Sequence, residues 1–337
     1  SRIKPRRPDP AALRLASPAF CESPGRAPLR VDSTGHRPWN ALVSARLRAD
    51  DVVIAEPGRM APAIARVGTR LLAPIVRLLF RPTLTGVEHL PTDRPYLLVA
   101  NHSAGLAAAE VFAFAACWLT HPELGVDRPI AGFAHPAGFV LYPMSQLMPA
   151  VGAIPSTYAH AHRTLARGIP ILVFPGGDHE ALRPIWLANR VDFGGRQGFL
   201  RIAREARVPI VPMGIRGAHW TAPMLVRSRW LATILILPRL LFSQRRWGIS
   251  VFGLAVAVLI ATLAPWAPWV RALVAFLWLG SPLAFSPWIP ATIRMRIGPR
   301  VEADALFSRD AGDDPNGDDL VAALARVERE VQRLVDR

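Results

Sequence analysis

The chain reads as an α/β protein: a central, mostly parallel or mixed sheet flanked by helices, with an inserted hydrophobic helical hairpin. Continuous apolar runs at 96–100, 169–174 and 208–213 are separated by helical stretches, two of them run into loops rich in Asn, His and Gly, and a nearly uncharged stretch from 230 to 293 follows. Strands alternating with helices make a parallel sheet whose chemistry collects at the carboxyl ends of its strands. With 337 residues there is room for one substantial domain, placed at 51–337.

Residues 1–50 are crowded with Pro and Arg and lack periodicity, which predicts a flexible basic tail. The start is basic but Pro-rich and no apolar segment follows it, so no secretory leader is expected. Net charge is +15, nearly all from arginine, with Lys4 the only lysine. Because that charge is spread over every segment, the clustered face of a nucleic-acid binder is missing, whereas an anionic membrane surface remains compatible. Cys21 and Cys117 are the only cysteines, too few for a disulfide framework, and a reducing, cytoplasm-facing location follows.

Between 59 and 80, Ile64, Val67, Leu71, Leu72, Ile75, Leu78 and Leu79 recur at three-to-four spacing with Arg66, Arg70 and Arg77 between them. That spacing predicts an amphipathic helix, either packed on the core or lying on a membrane surface. A short extended stretch at 84–87 precedes the run at 96–100, which ends at Asn101-His102-Ser103. Helix-forming sequence at 107–119 follows, placing this tripeptide where a strand hands over to a helix, with Ser103 as the cap. The run at 169–174 leads in the same way into Pro175-Gly176-Gly177, and 198–206 is helical before the third run.

From 247 to 270, and again from 272 to 293, there is no charge, and Pro265-Trp266-Ala267-Pro268-Trp269 breaks the apolar sequence in the middle. The first arm, 248–264, approaches the roughly 17–25 residues of a bilayer span, but Gly280-Ser281-Pro282 shortens the second, so a re-entrant or interfacial hairpin within 230–290 is expected. Tryptophans 230, 247, 266, 269, 278 and 288 suit a headgroup belt, and Arg227, Arg229, Arg239, Arg245 and Arg246 suit the cytoplasmic leaflet. A strand at 291–297, an acidic loop at 310–319 and a helix at 320–335 with Leu324, Val327, Val331 and Leu334 on its buried stripe complete the pattern.

His102 is the sharpest catalytic candidate, since an imidazole at a strand-to-helix junction sits at the usual active-site edge and titrates near neutrality. Taken alone it is a structural histidine more often than a base. The loop Pro175-Gly176-Gly177-Asp178-His179-Glu180 comes to the same edge in this reading, with Gly176 and Gly177 amides for an oxyanion and Glu180 to hold the imidazole. A tight turn with solvated charges is the plainer account of that loop. No G-x-S-x-G elbow and no P-loop lysine occur. His160-Ala161-His162 would put two imidazoles on one strand face, but no third ligand stands at metal spacing, so no metal is expected.

These blocks resemble the glycerophospholipid acyltransferases, from about Thr85 to His219. Gly86-Val87-Glu88-His89-Leu90-Pro91 is similar to the lead into their first block, Asn101-His102; Gly152-Ala153-Ile154-Pro155 to their second; and Val208-Pro209-Ile210-Val211-Pro212 to their fourth. Pro175 to Leu182 resembles the PGGxxEAL block of the diacylglycerol acyltransferase-like branch, and Arg196-Gln197-Gly198-Phe199 its R-x-G-F turn. The family's H-x-x-x-x-D aspartate is absent, since that position is Ala107, and the glutamate of F-P-E-G is Gly176.

The resemblance implies acyl transfer from acyl-CoA or acyl carrier protein, as co-substrate rather than cofactor, to a glycerolipid hydroxyl of the lysophospholipid or diacylglycerol type. Glu180 ranks first as the carboxylate partner of His102. Glu110 ranks second, because eight residues along a helix exceed two turns and pairing would need an irregular helix start. Arg196 is expected to hold a phosphate, with Asn101, Ser103, Asp178 and Gly198 lining the substrate site. A membrane-associated enzyme at the cytoplasmic face follows, its oligomeric state open; a catalytically silent membrane-binding or lipid-transfer module is the alternative.

Overall fold

The computed structural model describes residues 50–337 apart from 104, 106, 107, 141, 241–245 and 309–316. The tail at 1–50 is therefore outside the described residues except for Asp50, as are Ala107, Arg245 and most of the acidic loop.

Nine strands are present among the described residues: β1 Thr83–Thr85, β2 Leu97–Ala100, β3 Ala131–Ala134, β4 Ala153–Pro155, β5 Ile171–Val173, β6 Ile210–Arg216, β7 Met224–Ser228, β8 Trp247–Ser250 and β9 Arg294–Ile297. Seven form one mixed sheet in the order β1-β9-β6-β2-β5-β3-β4, and β7 pairs with β8 in a separate antiparallel ribbon. Within the main sheet β6 and β9 pair antiparallel and every other pairing is parallel. The helices that matter below are α1 Ala73–Phe80, α2 Ala109–Thr120, α3 Gly177–Ala181, α4 Gly198–Ala206, α5 Val251–Leu263, α6 Pro268–Leu279 and α7 Asp318–Asp336.

The core follows from the two-residue period of the strands. In β2 every residue is buried: Leu97 and Val99 join one apolar cluster and Leu98 and Ala100 another, on opposite faces. In β5, Ile171 and Val173 go with the first and Leu172 with the second. α4 contributes Phe199, Leu200, Ile202 and Ala203 to the first cluster, and α7 adds Leu320, Leu324, Val327 and Val331. The stripe expected on the last helix is the one that packs. A Cβ added at Gly214 of β6 would meet the Leu334 Cβ at 2.5 Å, so this strand position lets α7 lie close against the sheet.

Several elements differ from expectation. Helix begins at Pro62 rather than 59, the residue type suited to a first helical position, and widens into a π turn at Gly68–Leu72 before α1. α2 begins at Ala109 and is preceded by Ala108 at φ 49°, with no side-chain cap, so Ser103 does not cap it. His160 and His162 lie on the helix Tyr158–Ala166, not on a strand; His160 meets Thr157 and the Val52 carbonyl, and His162 meets Glu205.

The hairpin consists of α5 and α6, of 13 and 12 residues. At a rise of about 1.5 Å per residue each is about 20 Å long, short of the roughly 30 Å hydrocarbon layer. Among the described residues no helix is long and apolar enough to cross a membrane. The first arm loses residues 248–250 to β8, and Trp247 is fully buried against Phe285, so it is no part of a headgroup belt. Trp278 is half-buried and donates Nε1–H to the Gly253 carbonyl, whereas Trp230, Trp266, Trp269 and Trp288 are exposed. Leu182, Met224, Trp247 and Phe285 form a small core of their own, tying the ribbon and the base of the hairpin to the end of α3.

Candidate active site

β2 and β5 are parallel neighbours in register, Val99 facing Val173, so the two loops that follow them leave the same sheet edge side by side. The first is anchored by Asn101. Its side chain accepts from the Ile215 N–H at 2.7 Å and donates to the Ile215 carbonyl at 2.8 Å, extending the β2–β6 ladder by one side-chain rung. Asn101 is thus a buried clamp whose side-chain amide is directed at the β6 backbone. Asn101→Ala strands two backbone groups of a buried strand and should cost about 1–3 kcal/mol, read as a lower midpoint in denaturant unfolding.

Beyond the clamp the chain turns through two left-handed residues, Gly105 at φ 66° and Ala108 at φ 49°, before α2 starts. This irregular start brings Glu110 back to the imidazole. Glu110 Oε1 lies 2.6 Å from His102 Nδ1 and accepts the Ser103 N–H at 2.7 Å. Glu110 is fully buried in the first turn of α2, where the helix N-terminus favours a negative charge, and the His102 side chain keeps 13% of its surface exposed. The expected ranking is therefore corrected. Glu110 makes the ring contact, because the left-handed turn removes the regular helical geometry that argued against it.

Glu180 serves the backbone instead. Its Oε2 accepts the His102 N–H at 3.1 Å, while Oε1 accepts the Asp192 N–H at 3.0 Å and meets Arg183 Nη2 at 3.3 Å. A Cβ added at Gly176 would overlap the Glu180 Cγ and Oε2. The carboxylate thus occupies the space where a side chain at 176 would begin, and this close approach is what requires glycine there.

The two glycine amides were expected to face an oxyanion. Gly177 N–H is spent on the Phe174 carbonyl at 3.1 Å, closing the turn that starts α3, so it is unavailable for that purpose. Arg196, expected to hold a phosphate, instead braces the turn: it donates to the carbonyls of Pro175 and Gly176 and meets Asp178 Oδ1 at 2.5 Å. Both Arg196 and Asp178 are engaged with each other. Gly198 is the first residue of α4, and a Cβ there would touch only the Tyr158 hydroxyl, at 3.4 Å.

Electrostatics set the pair apart. Burial pulls the His102 pKa down, but the charge and hydrogen bond of Glu110, with Glu180 and Asp178 adding more weakly, outweigh it and raise the pKa. For Glu110, burial pushes up while His102 and the Ser103 N–H pull harder, and the pKa is lowered. Burial pushes Glu180 up to about 7, against the Asp192 N–H, Arg183 and the His102 N–H. With Nδ1 committed to a carboxylate, His102 Nε2 is the nitrogen left to take a proton, and the Phe174 ring lies 5.0 Å from the imidazole.

One nearby group was not singled out in the sequence. His219, in the turn Ala218–Thr221 after β6, is 6% exposed, its ring 5.2 Å from that of Trp220, and its Nε2 is buried without a partner. Burial holds its pKa down to about 4, against the pull of the Glu110 charge, so it stays neutral near neutrality. Nothing in its local sequence marks it, since only tertiary packing of α2 brings that turn near Glu110.

A parallel sheet edge carrying a buried histidine–carboxylate pair beside a glycine turn has the geometry to take a proton from a group entering there. Residues 81–216 match the family model described as Acyltransferase, so this part of the chain is similar to an acyltransferase domain. Uncharacterized proteins of Mycobacterium tuberculosis and Mycobacterium bovis are each 30% identical over 172 residues, covering 50% of this chain and 47% of theirs. One from Mycobacterium leprae is 29% identical over 159 residues, 47% of this chain and 42% of its own. The chain spans about half the length of these curated relatives. The crystal structure of the 1-acyl-sn-glycerophosphate (LPA) acyltransferase of Thermotoga maritima is also similar, at 16% identity and a TM-score of 0.44 over 81% of each chain.

Proposed function

We propose that this protein transfers a fatty acyl group from a thioester, acyl-CoA or acyl carrier protein, to the hydroxyl of a glycerolipid, with His102 as general base and Glu110 as its orienting partner. The observation that carries the reading is the 2.6 Å contact between His102 Nδ1 and the buried Glu110. It fixes the imidazole with Nε2 outward. In the proposed step Nε2 takes the proton of the attacking hydroxyl, the new ester bond forms at the carbonyl carbon, and the carbon–sulfur bond breaks. The proton then passes from the imidazolium to the leaving thiolate, so atoms and charge balance and the enzyme is regenerated.

The acceptor is of the lysophospholipid or diacylglycerol type. A labelled acyl thioester presented with each acceptor should give a labelled ester with one of them. If the intact protein gave none with either, the reading as a catalytically silent lipid-binding module would replace this one.

Attachment to the cytoplasmic face of a membrane belongs to the same proposal. α1 exposes Ile75 and Leu78, and the hairpin exposes Val258, Leu259, Leu263 and Trp269, the last at 71% of its surface. Such apolar groups are costly in water and gain about 1.5–3 kcal/mol each when buried. Changing Leu263 and Trp269 together to aspartate should therefore weaken binding to anionic vesicles at least about tenfold, measured by flotation. Unchanged flotation would assign attachment elsewhere, to α1 first.

A further inference from the structure

The ribbon β7–β8 lies outside the acyltransferase match, yet it reaches into the turn beside the candidate site. Arg227 on β7 donates through Nη1 to the His179 carbonyl, and Arg246, just before β8, lies with Nη1 3.2 Å from His179 Nδ1. His179 Nε2 meets Asp192 Oδ2 at 2.9 Å. That pairing puts the ring proton on Nε2 and leaves Nδ1 to accept from Arg246. Arg183, just past the end of α3, reaches Glu180 Oε1 and the Asp192 carbonyl, each at 3.3 Å.

Three guanidinium groups therefore converge on the stretch 179–180 and on Asp192. Three carboxylates face them. Asp178 is matched by Arg196, so of these three Glu180 and Asp192 are left to oppose three guanidinium groups. The crowding is felt at Arg227, where burial and then the charges of Arg246 and Arg183 hold the guanidinium below its ordinary value. Arg227 and Arg246 are half-buried, so a surface remains open to an incoming group. Glu180 joins this cluster to the reacting end, with Oε1 on Arg183 and Oε2 on the His102 N–H.

The geometry points to a binding site for a phosphate group formed by Arg183, Arg227 and Arg246, holding the phosphate-bearing part of one substrate while its reacting atom meets His102. Planar guanidinium forks match phosphate oxygens, and an excess of positive charge in a half-buried setting is completed by an anion. This takes over the role expected of Arg196, whose side chain is turned onto the Pro175 and Gly176 carbonyls and Asp178. The inference rests on the proposed acyl transfer for its place in the reaction, and two substrates of that reaction carry phosphate: a coenzyme-type thioester donor and a phospholipid acceptor.

Calorimetric titration of the full chain in detergent distinguishes them, using coenzyme A against pantetheine and lysophosphatidate against monoacylglycerol. Wild-type protein should bind the phosphate-bearing member of one pair at least about tenfold more tightly, and that pair names the source. The Arg227→Gln/Arg246→Gln protein should lose the preference. A preference that survives the double change, or wild-type protein with no preference in either pair, overturns the site. Should the glutamine pair not fold, Arg227→Lys/Arg246→Lys decides: a preference weakened severalfold supports the site and unchanged affinity overturns it. Because binding is measured without turnover, failure of the site and failure of the acyl-transfer reading stay distinguishable.

Discussion

Replacing His102 with glutamine is expected to lower kcat/KM by roughly a hundred- to ten-thousandfold while leaving the melting temperature near that of the wild type. The size is that of a lost general base, since the amide can still satisfy Glu110 but cannot take a proton at neutral pH. Alanine is the harsher change. It leaves the fully buried Glu110 Oε1 without the imidazole, keeping the Ser103 N–H as its remaining donor of the two, so stability falls along with activity. The two substitutions together separate chemistry from folding: similar losses of turnover with different melting temperatures place the effect on the base. Turnover of the glutamine protein within tenfold of wild type would remove His102 from the mechanism.

Glu110→Gln is the second large effect, a fall in kcat of about two to four orders of magnitude, comparable with loss of the carboxylate in a catalytic triad. The amide keeps the shape but presents no charge, so the imidazole loses the partner that fixes its tautomer. The pH dependence gives the sign. His102 is a base only when neutral, and its raised pKa places the acid limb of kcat/KM above the ordinary imidazole value of about 6.5, activity falling as pH drops through it. Removing the Glu110 charge leaves burial, which lowers the pKa, so in the variant the limb moves to lower pH even as the plateau falls.

The same pair makes stability and activity oppose each other. A histidine with a raised folded pKa stabilises the fold below its unfolded pKa, and that contribution is lost as pH rises through the folded value. Glu110, with a lowered pKa, contributes above its unfolded value and loses this as pH falls through the folded one. The ion pair is thus strongest between those limits, and in the proposed mechanism catalysis is expected to begin at the alkaline side, where the imidazole gives up its proton. Glu180→Gln changes none of the ring contacts, so its acid limb should shift far less, although the His102 N–H and Arg183 lose a charged partner.

Much of this was readable from residue order. The central strands were legible because β2, β5 and β6 are buried on both faces, so each stands out as an unbroken apolar run. α4 and α7 were legible because each has one apolar face with charge opposite, and periodicity reports that directly. The choice between carboxylates was not. Spacing on a regular helix separates positions 102 and 110, and only the left-handed turn through Gly105 and Ala108 joins them. The turn contacts of Gly177 and Arg196 are hidden for a related reason, since the hydrogen bonds that close a turn compete for the groups a substrate would use. The ribbon inside the apolar stretch was hidden because Trp247–Ser250 is uncharged like the helix after it. Tertiary pairing with Met224–Ser228, not composition, makes it a strand.

The most direct test is the titration of the His102 imidazole by NMR, its resonances assigned by their loss in His102→Gln, in wild-type, Glu110→Gln and Glu180→Gln proteins. The pairing described here predicts a pKa above the ordinary imidazole value in the wild type, a clear fall in Glu110→Gln and a smaller one in Glu180→Gln. A His102 pKa indifferent to Glu110, or one that responds chiefly to Glu180, would contradict it.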